Sequence, residues 1–332
     1  MALKVVRGLL ARGDTDDTLD DERKTLAAVG AEVEAIPVAD RERLLAALPS
    51  ADGLLGVSFI DGDMIEMLEN CRGIVLIAHG FNHVDLDAAT EAGIPVSNLF
   101  FCHREVANHT VMMLLAATRK LILLHNLLKE GRWARDLQPP VAPLYGETMG
   151  LIGFGHVGRE VARRVKAMDM NVLAFDPVVK PEQAVELGVE LTDLDDLLKR
   201  SDYVSLHAPS NDSTLHILNE RTIGLMKLSA WVFNTARGDL IDEKALYQAL
   251  KQRRIAGAGL DVFEVEPTPP TNPILQLDNV IVTPHAAGFS DAAVRDGQRQ
   301  GAAEMASVLT GTFPRNICNP EVRGRTRFPF NR

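Results

Sequence analysis

Gly153, Gly155 and Gly158 stand in the run Gly150-Leu151-Ile152-Gly153-Phe154-Gly155-His156-Val157-Gly158, a G-x-G-x-x-G frame between an apolar stretch and a helical one. Glycines so placed let the chain turn tightly, bring backbone against a pyrophosphate and pack a helix close to its strand. The next apolar stretch ends at Asp176, eighteen positions past the last glycine, where a carboxylate can accept hydrogen bonds from a ribose diol. That carboxylate would repel a 2′-phosphate, and Pro177-Val178-Val179 bring no arginine to hold one, although Lys180 is near. The expected cofactor is therefore NAD rather than NADP. A rival chemistry comes from His79 with His83, and from Cys102 and His103 with His109. These lack the compact, repeated spacing of structural zinc sites, and no metal is expected.

A cofactor of this kind needs a parallel sheet to present the glycine turn. Short apolar or β-branched runs alternate with amphipathic stretches along the whole chain, the pattern of parallel α/β folds. A first series has strands at residues 4–9, 32–37, 53–57, 73–77 and 95–98, with helices such as 19–29 and 87–92. Apolar residues at Val106, Met113, Leu114, Ala117, Leu121, Leu124 and Leu128 then recur at helical spacing, which predicts one long helix over 106–128. After a proline-rich loop at 138–143, a second series has six strands, at 148–153, 170–176, 202–207, 230–234, 256–261 and 279–283. Six strands with intervening helices are the inventory of a Rossmann doubly wound parallel sheet. A last helix, 292–309, is too little for a domain. It is expected to return to the first series, giving a discontinuous smaller flavodoxin-like α/β domain (1–103 with 291–332) around an NAD-binding domain (104–290).

Composition agrees with a folded chain of this kind. The 332 residues suggest roughly two domains, and 46% hydrophobic with 24% charged residues argues against disorder. Lys plus Arg at 35 against Asp plus Glu at 45 gives a net charge of −10, so nucleic acid is not an expected partner. Three cysteines without a C-x-x-C pair read as free thiols of a reducing compartment, the cytoplasm. The stretch 111–128 is interrupted by Thr118-Arg119-Lys120, and neither a membrane span nor a signal peptide is read.

Four ordered segments beyond the glycine turn are Tyr203-Val204-Ser205-Leu206-His207-Ala208-Pro209, the stretch Asn234-Thr235-Ala236-Arg237-Gly238 continuing to Asp242, Gly259-Leu260-Asp261-Val262-Phe263-Glu264-Val265-Glu266-Pro267, and Thr283-Pro284-His285-Ala286-Ala287-Gly288. Through them the chain resembles the D-isomer-specific 2-hydroxyacid dehydrogenases, over about residues 74–319. The resemblance implies an NAD-dependent oxidoreductase that interconverts a D-2-hydroxy acid and its 2-oxo acid. It places Arg237, Glu266 and His285 on the family's catalytic trio. An arginine fork can hold a carboxylate and a keto oxygen. A histidine can exchange a proton near neutrality, and a neighbouring carboxylate would orient it and raise its pKa. Taken singly, Arg237 could be a solvated turn residue and Glu266 an ordinary loop carboxylate. The resemblance further implies cofactor contacts from Thr110, Gly153, Gly155, His156, Val157, Gly158, Asp176, His207, Ala208, Pro209, Thr214, Thr235, Ala236, Asp261 and Gly288, besides Arg237 and His285. It implies substrate contacts from Ala78, His79 and Gly80, again with Arg237 and His285.

The chain departs from the family pattern in places. Asn108 stands where many members carry an acid, and Leu99-Phe100-Phe101-Cys102-His103-Arg104 lacks a proline and is one residue shorter. Arg104 could hold a distal anionic group or be a solvated helix-entry residue. With both domains accounted for, no room is left for the C-terminal regulatory domain of longer phosphoglycerate dehydrogenases, so serine feedback is not expected. The alternative is an NAD(H)-sensing interaction module, because 242–261 and Phe313-Pro314-Arg315-Asn316-Ile317-Cys318-Asn319 also resemble C-terminal-binding-protein corepressors. Against it, Gly288 stands where those carry tryptophan. A homodimer through 106–128 and 132–145 is expected.

Overall fold

A computed structural model describes residues 2–9, 18–57, 59–133 and 143–331, and the chain divides into two compact units, Met1–Cys102 with Ser290–Arg332, and His103–Phe289. In chain order the first contains β1 (Leu3–Leu9), α1 (Asp20–Ala27), β2 (Ala31–Pro37), α2 (Arg41–Ala47) and β3 (Gly53–Leu55). It continues with α3 (Gly62–Glu66), β4 (Ile74–Val75), α4 (Leu86–Glu91) and β5 (Val96–Ser97). Its parallel sheet runs β2-β1-β3-β4-β5, the flavodoxin-like order. Aspartates at the starts of α2, α3 and α4 cap them, Asp40, Asp61 and Asp85 each accepting a backbone N–H of the first turn.

The second unit opens with α5 (His103–Thr118) and α6 (Leu121–Lys129). There follow β6 (Thr148–Ile152), α7 (His156–Lys166), β7 (Asn171–Phe175), α8 (Pro181–Val185), β8 (Glu190–Leu191) and α9 (Leu194–Arg200). The remainder is β9 (Tyr203–Leu206), α10 (Glu220–Ile223), β10 (Trp231–Asn234), α11 (Glu243–Lys251), β11 (Gly257–Leu260) and β12 (Val280–Val282). The strands order β12-β11-β10-β9-β6-β7-β8, all parallel, with the chain reversing direction across the sheet between β6 and β9. That reversal leaves a crevice at the carboxyl ends of β6 and β9, where open α/β sheets bind ligands. The last helix, α12 (Asp291–Leu309), returns to the first unit, burying Met305, Val308 and Leu309 with Val5, Leu55 and Val75 of β1, β3 and β4.

The sheet of the second unit is buried on both faces. Leu151 and Phe233 pack with Val161 and Val165 of α7 and with Val111 and Leu114 of α5, while Ile152, Val204, Val232 and Leu260 pack with Leu246 and Leu250 of α11. Each such side chain contributes roughly 1.5–3 kcal/mol by leaving water. Continuous apolar strands are the consequence of this double burial.

Two sequence expectations are corrected. The sheet has seven strands rather than six, because the two-residue β8 pairs with β7 and carries no apolar run that would announce it. The stretch 106–128 is not one helix: it breaks at Lys120, whose φ is +55, and α5 and α6 diverge by 61°. Lys120 lies over the Trp231 ring, its ammonium 5.2 Å from the centroid, an attraction made at the turn. No single helix among the described residues is long and apolar enough to cross a membrane; α5 and α6 meet that test only as a bent pair.

Candidate active site

The glycine turn follows β6 directly. Gly153 has φ +95, and a Cβ on it would come within 2.6 Å of the Ala208 nitrogen and the His207 carbonyl carbon. Only glycine fits there. A Cβ on Gly158 would strike the Gly153 carbonyl, so this third glycine lets α7 approach β6. A Cβ on Gly155 would meet nothing within 4 Å, so packing does not require that glycine. Its bare backbone at the start of α7 is an open cradle of the kind a pyrophosphate fills at a helix N-terminus, and the donor set suits a dinucleotide.

Asp176 closes the cradle. Its Oδ2 accepts the Phe154 N–H at 2.8 Å, and its Oδ1 accepts those of Val178 and Val179 at 2.9 and 3.1 Å. The carboxylate is thereby aimed from the end of β7 at the glycine turn. His156 and Val157 begin α7. Burial, then the charges of Arg159 and His103, hold the His156 imidazole below its ordinary value, and its ring lies 5.8 Å from that of His103.

At the end of β9, the Nε2 of His207 meets the buried Ser205 hydroxyl at 3.0 Å, and burial pushes the His207 pKa from 6.5 down to about 3. The unfolded chain therefore binds a proton between those values that the folded chain refuses. Stability is expected to fall as pH drops from 6.5 towards 3, by up to about 1.4 kcal/mol per pH unit. Urea unfolding across that window should show a shallower decline in a His207→Gln variant; equal declines would remove His207 as the cause. Ala208 and Pro209 follow, and the Thr214 hydroxyl turns back to donate to the Pro209 carbonyl at 2.7 Å.

The carboxyl ends of β10, β11 and β12 carry the remaining residues. Asn234, buried at the end of β10, donates to the Arg237 carbonyl at 2.8 Å and accepts the Ala236 N–H at 3.0 Å, a side-chain clasp that shapes the turn presenting Arg237. The Thr235 and Thr110 hydroxyls meet at 2.9 Å. A Cβ on Gly238 would overlap the Phe263 carbonyl and come within 2.5 Å of the Glu264 nitrogen, so the Arg237 turn lies directly against the strand exit that leads to Glu266.

His285 and Glu266 form a hydrogen-bonded pair. The His285 Nδ1 lies 2.6 Å from Glu266 Oε2, while Glu266 Oε1 accepts the Phe263 N–H at 3.0 Å. Burial raises the Glu266 pKa, but hydrogen bonds from His285 and the Phe263 N–H, with the charges of His285 and Arg237, outweigh it and hold the carboxyl below its ordinary 4.5. A carboxylate that stays ionised there orients the ring through its hydrogen bond to Nδ1. His285 has φ +51, a left-handed backbone that costs a non-glycine residue roughly 1–2 kcal/mol. Asp261, 1% exposed, holds it: the Asp261 carbonyl accepts the His285 N–H at 2.7 Å, and its carboxylate accepts those of Ala286 and Ala287 at 2.8 and 2.9 Å. Gly288 follows in the same loop.

Ala78, His79 and Gly80 follow β4 in the first unit. The His79 Nε2 accepts the Phe101 N–H at 3.2 Å, and its carbonyl accepts the Asn98 amide at 2.5 Å. The imidazole thus organises the loop around it. Arg104 is exposed in the first turn of α5. Asn108 bonds Arg164 of α7 at 2.7 Å, a structural use for a residue that departs from the family pattern. Among the described residues no group of three or more His, Cys, Asp or Glu could hold a metal.

Sequence reading gave Asn234, Gly238 and Thr283 no site role and weighed His109 only as a metal ligand, whereas the His109 Nε2 and Thr283 Oγ1 meet at 2.9 Å. The glycine directly after Arg237 was the one local signal available; the other contacts join segments far apart in the chain.

Residues 111–287 match the family described as D-isomer specific 2-hydroxyacid dehydrogenase, NAD binding domain. The chain is 41% identical over 309 residues to a D-3-phosphoglycerate dehydrogenase of Methanocaldococcus jannaschii, covering 92% of this chain and 58% of that protein. It therefore spans under three fifths of that relative's length. It is 38% identical over 267 residues to a glyoxylate reductase of Korarchaeum cryptofilum, covering 79% of this chain and 80% of that one. A D-lactate dehydrogenase from Aquifex aeolicus, solved with NAD and lactic acid, superposes with a TM-score of 0.79 at 28% identity, covering 95% of this chain and 99% of that one.

Proposed function

This chain belongs to the D-isomer-specific 2-hydroxyacid dehydrogenase family, and from that membership we propose that it interconverts a D-2-hydroxy acid and its 2-oxo acid. The observation that carries the reading is the His285–Glu266 pair, 2.6 Å apart at the carboxyl edge of a sheet that carries a dinucleotide cradle. When bound, the nicotinamide cofactor supplies or takes up the hydride. With Nδ1 committed to Glu266, His285 gives the proton on Nε2 to the alkoxide forming in reduction and recovers it in oxidation. Arg237 holds the substrate carboxylate and keto oxygen. Gly155, His156 and Val157 receive the pyrophosphate, and Asp176 receives the ribose diol, which favours NAD over NADP. Ala78 and Gly80, just beyond the carboxyl end of β4, offer N–H groups to the substrate carboxylate.

Candidate substrates are 3-phosphoglycerate, glyoxylate or hydroxypyruvate, and other D-2-hydroxy acids. The test is NADH consumption with a panel of 2-oxo acids spanning distal size and charge, run beside an Arg237→Ala variant. Turnover of at least one acid, with kcat/KM collapsing in the variant, is expected. NADH binding without turnover of any acid would sink the reading.

We assign the assembly as a homodimer built on α6. Leu121, Leu124 and Leu128 are 56, 42 and 56% exposed on that helix, an apolar surface that a second copy would cover. Residues 134–142, also expected at the interface, lie outside the described residues. Light scattering should give twice the 36.3 kDa chain mass, and Leu124→Glu with Leu128→Glu should halve it; a wild-type monomer at all concentrations would refute the assignment. The three cysteines are free thiols, which supports a cytoplasmic setting.

A further inference from the structure

We propose that His109 is a positioning residue for His285, acting through Thr283 and Asp261. The proposal rests on the functional reading above only for its kinetic arm.

The polarity of the contacts makes the argument. The Asp261 carboxylate can only accept, so the Thr283 hydroxyl, 2.5 Å from Asp261 Oδ1, must donate to it. Having spent its proton there, the same hydroxyl must accept from the His109 Nε2–H at 2.9 Å. Were Thr283 to donate to His109 instead, an oxygen lone pair would face the carboxylate at 2.5 Å in a buried setting. The donation from His109 therefore fixes the direction of the chain His109 to Thr283 to Asp261. Asp261 in turn holds the backbone of residues 285, 286 and 287, and so keeps His285 in its left-handed conformation with Nδ1 on Glu266.

His109 is largely buried, its side chain 16% exposed. It sits on α5 between Asn108, which bonds Arg164 of α7, and Thr110, which bonds Thr235 at the end of β10. Three successive residues of one helical turn thus tie the cofactor helix, the His285 loop and the Arg237 strand to a single element. The required group at position 109 is a side-chain N–H donor of this reach, which glutamine also supplies and leucine does not.

The test compares full-length wild type with His109→Leu, His109→Gln, Thr283→Val and Thr283→Ser. The leucine and valine variants should lose about 10²-fold in kcat, the scale of a misplaced reacting group, with NADH affinity changed less than about threefold. The basic limb of their pH–rate profile should move to lower pH, because His285 leaves its carboxylate. The glutamine and serine variants should stay near wild type in both respects. Titration of the His285 imidazole by NMR, without substrate, should show the same downward displacement in the leucine and valine variants only. An unchanged imidazole titration and pH profile with only a lower Tm overturns the proposal. A kcat unchanged while NADH affinity falls also overturns it, since the network would then serve the cofactor and not His285. If wild type turns over no 2-oxo acid, the functional reading fails while the NMR titration still decides the positioning role.

Discussion

Replacing His285 with glutamine is expected to lower kcat for 2-oxo acid reduction by roughly 10²- to 10⁴-fold, the range for loss of a positioned general acid. Glutamine keeps a side chain of similar reach but no titratable group, and the dinucleotide cradle, formed at the ends of β6 and β7, is untouched. NADH affinity should therefore stay within a few-fold of wild type. Glu266→Gln should fall between the two, since the imidazole remains but its 2.6 Å anchor becomes uncharged. The pH dependence has a definite sign. Because the folded Glu266 pKa is held below 4.5, the carboxylate's own contribution is present above that value and is lost as pH falls through the lower folded value. A loss of activity well above pH 4.5 cannot come from protonating Glu266. A His285→Gln variant with wild-type kcat, or one whose loss is fully explained by weaker NADH binding, would remove His285 from its assigned role.

Gly238→Ala is the second large effect expected, although no reacting atom is changed. The added methyl would overlap the Phe263 carbonyl, and backbone cannot swing aside as a flexible side chain can. Either the Arg237 turn or the Phe263–Glu266 segment must move. Overpacking of this kind costs about 1–3 kcal/mol or more, and a shift near 1 Å in either segment is worth about 10²-fold in rate. Both kcat/KM and Tm should drop, with NADH affinity affected least. Gly155→Ala is the control. Its Cβ meets no protein atom within 4 Å, so Tm should hold while NADH binding weakens where the methyl enters the cradle. Wild-type kcat/KM in Gly238→Ala would show that the two segments are not braced against each other there.

Much of this molecule is written locally. The spacing of Gly153, Gly155 and Gly158 reports a backbone requirement, and the structure shows its cause: a positive φ at the first and a helix pressed against its strand at the third. Apolar runs report strands because a parallel sheet covered on both faces must be apolar throughout. β8 escaped because two residues carry no period, and the break at Lys120 escaped because the apolar spacing runs straight across it. At the bend Lys120 meets Trp231, which lies 111 positions away in the chain.

The sequence by itself determined the fold class, the cofactor cradle and which residue types could carry proton and anion chemistry, because each follows from short-range spacing or from ordered segments of high specificity. Only the tertiary structure decided how those residues are held. His109 and Thr283 are 174 positions apart, Asp261 and Ala287 are 26 apart, and Gly238 meets Phe263 from a neighbouring strand exit. Hydrogen-bond polarity and backbone overlap act over a few ångströms in space and carry no signature along the chain. They become legible only once the sheet has brought its carboxyl ends together.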